Sequence, residues 1–129
     1  MKPVRLVARP MLAGIFIGGG LDVLRHPEPR AELARPVVER LHDSLEMLPG
    51  DPVAAVRANA IVHVVAGGML ALGILPRVAA LTLAGSLVPT TFGGHRFWEL
   101  DDPQQRAQQQ SHFLKNAAIL GGLLLAALD

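Results

Sequence analysis

Residues 58–75 read ANAIVHVVAGGMLALGIL, eighteen positions without one Asp, Glu, Lys or Arg. A helix needs roughly 17–25 apolar residues to cross a bilayer, and this run supplies most of that length. Three more such stretches lie outward from it, at 10–24, 78–92 and 116–128. Together the four hold 61 of the 129 residues and one charge, Asp22. A helix in a soluble bundle keeps a polar face toward water, whereas these are apolar nearly all round. With residues borrowed from their flanks they read as spans of about 4–24, 52–75, 77–94 and 111–128. The predicted fold is all-α: a four-helix transmembrane bundle forming one domain over 1–129. Span 3 is the shortest, and Pro89 inside it removes a helical hydrogen bond.

Composition narrows the chemistry. Charged residues are 18% of the chain and the net charge is +1, so no nucleic-acid partner is expected. The absence of cysteine excludes disulfides, thiolate metal sites and thiol redox chemistry. A cleaved leader over 1–20 is disfavoured: Pro10 falls where its apolar core would start, and no A-x-A site follows.

The connections differ. Spans 2 and 3 are joined by little more than Pro76-Arg77, which requires a tight antiparallel hairpin. The 25–52 loop opens with His26-Pro27-Glu28-Pro29, expected to be non-helical. From Pro36 the apolar residues Val37, Leu41, Leu45 and Leu48 share one face, predicting an amphipathic helix over about 36–48. It either lies on the bilayer surface or packs across the mouth of the bundle. Asp51-Pro52 and Asp102-Pro103 each read as an N-cap with a first-turn proline, so span 4 is expected to begin in water near residue 103. Phe92, Phe97, Trp98 and Phe113 suggest an aromatic belt at one membrane face. By count, basic residues favour N-out; by density at the first span they favour N-in, the reading adopted. That reading counts four basic residues and no acid on the side of the N-terminus. Small residues recur at spacing four (Gly14/Gly18, Gly67/Ala71, Ala80/Ala84, Ala118/Gly122), a pattern that permits close helix packing.

Ionisable and polar groups at membrane depth are costly and therefore candidates for function. They are Asp22 near the end of span 1, and Arg57, Asn59 and His63 at the start of span 2. His95 and Glu99 follow span 3, and His112, Lys115 and Asn116 open span 4. All nine fall on one side of the membrane. Such a cluster suits an anionic or quinone-like headgroup, with His or Lys donating to a carbonyl oxygen, or proton transfer by histidine. Plain alternatives stand beside it: an Asp22 ion pair with Arg25 or Arg57, snorkelling of Arg57 and Lys115, and a His63 satisfied by Asn59 or a backbone carbonyl. His95-x3-Glu99 has ligand spacing, but an isolated pair makes no metal site, and none is expected.

Arg9-Pro10-Met11-Leu12-Ala13-Gly14-Ile15-Phe16 ending Gly20-Leu21-Asp22, then Pro89-Thr90-Thr91-Phe92 and His95-Arg96-Phe97-Trp98, resemble the DoxX family of membrane proteins. So does His112-Phe113-Leu114-Lys115-Asn116 continuing to Gly121-Gly122, the most specific part of the match. The Ala- and Arg-rich composition looks like a high-GC, actinobacterial source. The resemblance implies a small four-helix protein in the bacterial plasma membrane. The family's name belongs to a subunit of a thiosulfate:quinone oxidoreductase, and other members are associated with membrane redox complexes in oxidative-stress or thiol resistance. That implies a subunit or anchor of a redox-linked complex rather than a stand-alone enzyme, with a soluble redox partner and a quinone contact. No catalytic motif carries over. The alternatives are a structural or assembly protein without chemistry, and a small transporter component, for which four short spans would need homo-oligomerisation.

Overall fold

The computed structural model describes residues 2–47, 50–94 and 97–129, all of whose regular structure is helical. Five α-helices follow in order: α1 (Lys2–Arg25), α2 (Glu28–Ser44), α3 (Pro52–Leu72), α4 (Pro76–Gly94) and α5 (Pro103–Leu128), with a 3-10 turn at Phe97–Glu99 before the last. The two predicted caps form: Asp51 accepts from the Val53 amide and Asp102 from that of Gln104, each at 3.2 Å. Helix α5 therefore starts at Pro103, well before its apolar run.

Among the described residues three helices are long and apolar enough to cross a membrane: Pro3–Arg25, Pro52–Leu72 and Pro103–Leu128. Helix α4 is the exception to the expected four. It forms and continues through Pro89 to Gly94. Its polar positions, Arg77, Thr82, Ser86, Thr90 and Thr91, dilute its apolar character. Helix α3 also stops three residues short of the predicted end. Gly73 adopts φ +73° and ends the helix, with its amide and that of Ile74 returning to the Leu70 and Met69 carbonyls at 3.2 and 2.8 Å. A left-handed residue of this kind favours glycine. The hairpin to α4 is thus Gly73–Leu75, and Pro76 already belongs to α4.

Helix α1 packs chiefly on α3, α3 on α4, and α4 on α5. The core is dominated by small residues and leucine: Ala13, Ala66, Ala79, Ala80, Ala84, Leu70, Leu83, Leu87 and Leu123, with Phe16. Small side chains let helix axes approach, which drives association where lipid removes the hydrophobic gain. The expected Gly14/Gly18 stripe does not contribute: both positions have open space around them. The close approach is two residues further on, at Gly20. A Cβ on Gly20 would lie 2.7 Å from Val64 Cγ2 and 2.9 Å from the Ala60 carbonyl oxygen. Meanwhile Leu6, Met11, Leu72, Leu125 and Leu128 are each more than 70% exposed. Large apolar side chains spread over the outside of the helices suit a lipid surround.

Helix α2 starts eight residues before the expected Pro36. Proline is tolerated in a first turn, where its missing N–H has no partner to lose, so Glu28-Pro29 opens a helix instead of preventing one. The chain leaves the helix at Leu45, and Leu48 lies outside the described residues. The inward face is also different. Ala31 and Val38 are buried, and α2 packs on α3 and α4, while Leu41 and Leu45 of the predicted face point outward. Arg35 holds Glu32 at 2.9 Å and Glu39 at 3.9 Å on the polar side.

Candidate functional site

The polar residues of the spans are distributed over three helix seams. At α3–α4, Ser86 Oγ donates to Asn59 Oδ1, and Asn59 Nδ2 donates to Thr90 Oγ1. Thr90 Oγ1 in turn donates to the Ser86 carbonyl at 2.9 Å. Ser86 and Thr90 are four apart on one face of α4 and present both an acceptor and a donor to the amide. At α4–α5, the buried Asn116 donates through Nδ2 to Thr91 Oγ1 at 3.0 Å, and Thr91 Oγ1 donates to the Leu87 carbonyl at 2.8 Å. Thr90 and Thr91, adjacent in sequence, thus tie α4 to a different neighbour each.

The α1–α3 seam holds His63. It is buried, and its ring meets Phe16 edge to face with centroids 5.1 Å apart. His63 Nε2 is buried without a hydrogen-bond partner. Asn59 lies four residues away on the same helix face, yet faces α4 rather than His63. A buried imidazole nitrogen left unsatisfied costs about 1–3 kcal/mol, so a hydrogen-bonding group that reached it would gain more than usual. The seam is closed beside it, because the missing side chain of Gly20 is what lets α1 lie against Ala60, His63 and Val64.

The remaining candidates sit at the periphery. Asp22 is largely exposed and pairs at 3.7 Å with Arg30 of α2, rather than with Arg25 or Arg57. Arg57, Glu99 and Lys115 are exposed and His112 is half-buried. His95 lies outside the described residues. The four aromatic residues expected at this end of the bundle are in mutual contact. Phe113 of α5 stands edge to face with Phe92, Phe97 and Trp98, at centroid distances of 6.1, 5.5 and 5.8 Å. This clamps the 3-10 turn onto the start of α5.

Sequence reasoning gave no site role to Phe16, Ser86, Thr90 or Thr91, although Phe16, Thr90 and Thr91 fall in stretches that carry the family resemblance. The i, i+4 spacing of Ser86 and Thr90 was an available signal, since it places two hydroxyls on one face of an apolar helix. It also counted no acid beside the N-terminal basic residues, whereas Asp129 lies among them, 2.6 Å from Arg5 Nε.

No curated protein and no solved structure matches the chain. The family model for DoxX matches residues 4–96, covering α1 to α4. The His112–Gly122 stretch of α5 lies beyond the matched segment. With apolar, membrane-length helices and this match over well over half its length, the chain is a polytopic membrane protein and belongs to the DoxX family.

Proposed function

We propose that the protein is a non-catalytic membrane subunit or anchor of a redox-linked complex in the bacterial plasma membrane. In this reading all four long helices cross the bilayer as a single domain through residue 129, with the N-terminus inside. The polar α2 and the 95–110 connection then share the opposite face, where a soluble redox partner docks. His63 is the residue that meets a quinone carbonyl. Its orphaned, buried Nε2 is the observation that carries this part of the reading, and Phe16 supplies an aromatic edge beside it. The closed packing at Gly20 requires the headgroup to approach from the rim of the seam or to part α1 from α3.

The test is co-purification in mild detergent, followed by quinone titration. Recovery of an oxidoreductase, sulfurtransferase or dismutase, and quinone binding that is lost in His63→Phe, support the reading. Recovery of the chain alone, with no quinone-dependent signal, contradicts it. A structural or assembly role is the second reading. It is favoured by the hydrogen bonds of Asn59 and Asn116, whose amides are engaged in holding helices together.

A further inference from the structure

At the end of the bundle away from α2, three arginines gather around Asp129. Arg5 Nε lies 2.6 Å from Asp129 Oδ2 and Arg5 Nη2 donates to Oδ1 at 2.8 Å. Arg77 Nη2 donates to the main-chain oxygen of Asp129 at 2.8 Å. Arg9 Nη2 stays 3.7 Å from Oδ2, beyond hydrogen-bond range. A cleft of about 370 Å³ opens beside them between α1 and the end of α3, lined by Arg5, Leu6, Arg9, Ala71, Leu72 and Gly73. Gly73, whose left-handed conformation ends α3, lines the mouth of the cleft beside Arg9. Leu6 and Leu72 on its walls are both 76% exposed.

We propose that this cleft is a binding site for an anionic glycerophospholipid, its phosphate held by Arg9 and an acyl chain lying along Leu6 and Leu72. Guanidinium groups present forked donors that match phosphate oxygens. Basic pockets between membrane helices recognise anionic headgroups. The carboxylate of Asp129 occupies Arg5, which leaves Arg9 as the donor free to take a phosphate oxygen. Leu6 and Leu72 stand beside the arginines in the same cleft, so one molecule with a phosphate and a hydrocarbon chain satisfies both halves of the site. A soluble phosphate would satisfy only the first.

The experiment uses the full chain in mild detergent, with native mass spectrometry for retained lipid and circular dichroism for thermal unfolding. Phosphatidylglycerol, phosphatidylcholine and inorganic phosphate are added separately. Phosphatidylglycerol should be retained preferentially. Arg9→Gln should lower that retention about fivefold, the equivalent of about 1 kcal/mol for one interfacial cation. Arg9→Lys, which keeps the charge without the fork, should recover part of it, and Arg106→Gln at the other end should change nothing. Equal retention of the two lipids overturns the proposal, as does an unchanged preference in folded Arg9→Gln. If Arg9→Gln fails to fold, an undiminished preference in Arg9→Lys overturns the forked contact. Stabilisation by inorganic phosphate alone that depends on Arg9 overturns the lipid in favour of a soluble anion.

Discussion

Replacing Gly20 by alanine should loosen the α1–α3 seam, although the change adds one methyl group to an apolar helix. The new Cβ would stand 2.7 Å from Val64 Cγ2 and 2.9 Å from the Ala60 carbonyl oxygen. Val64 can rotate, but the carbonyl is part of the α3 backbone, so the helices themselves must separate. Overpacking of this kind costs about 1–3 kcal/mol. Alanine returns about 0.5–1 kcal/mol through its better helix propensity, leaving a net loss of about 1–2 kcal/mol. Gly14→Ala is the matched control, because nothing lies within 4 Å of its Cβ. It should be neutral or stabilised by the propensity gain alone. The two variants should therefore differ by about 2 kcal/mol, close to thirtyfold in the unfolding equilibrium. Far-UV circular dichroism during denaturing-detergent titration in mixed micelles measures this. Near-UV dichroism should also report a disturbed Phe16 environment in Gly20→Ala only. Equal stability of the two variants, or a larger loss in Gly14→Ala, would refute the packing of α1 on α3.

The α3–α4 bridge should be measurable as a coupling: in a double-mutant cycle, Asn59→Ala and Ser86→Ala should interact by about 0.6 kcal/mol, and by no more than about 1.7, the range found for hydrogen bonds between membrane helices. Additive effects would show that the two side chains do not share a bond. Acid should weaken the charged corner. The hydrogen bond from Arg5 holds the Asp129 carboxyl below its ordinary value, and the one from Arg35 does the same for Glu32. A depressed carboxyl stabilises the fold above its unfolded value near 4 and loses that contribution as pH falls through the lower, folded value. Asp129→Asn should flatten the acid limb of a stability–pH curve, and an unaltered limb would remove Asp129 from the account. Phe113→Ala should free the 3-10 turn, and the fluorescence of Trp98, the only tryptophan, should shift to the red. An unshifted spectrum would mean the ring is held without Phe113.

Much of the helical layout is legible in the sequence because it rests on local rules. Asp-Pro pairs mark two helix starts, and both cap as local hydrogen bonding requires. What sequence could not assign was which face meets which neighbour. Glycine is small wherever it stands, so Gly14, Gly18 and Gly20 look equivalent until the phase of α3 selects Gly20. The same holds for α2, where the way it lies on α3 and α4 turns Ala31 and Val38 inward in place of Leu41 and Leu45. The candidate site illustrates the limit. Asn59 and His63 are neighbours on one helix face, but 40° of rotation between them is enough to send one toward α4 and the other toward Phe16 of α1. Ser86, Thr90 and Thr91 were overlooked because hydroxyls in an apolar helix usually bond to their own backbone. Here Thr90 and Thr91 do so while also accepting from an asparagine on a neighbouring helix, and Ser86 donates to an asparagine instead.

The most direct test of the four-crossing bundle uses the absence of native cysteine. Single cysteines introduced at Arg77, Glu32 and Gln108 can be labelled with a membrane-impermeant maleimide in intact cells and in inverted vesicles. The account predicts that Arg77→Cys reacts on one side of the membrane, while Glu32→Cys and Gln108→Cys both react on the other. Reaction of Arg77→Cys and Gln108→Cys from the same side would mean that α4 does not cross, and would contradict the bundle on which the proposed docking face depends.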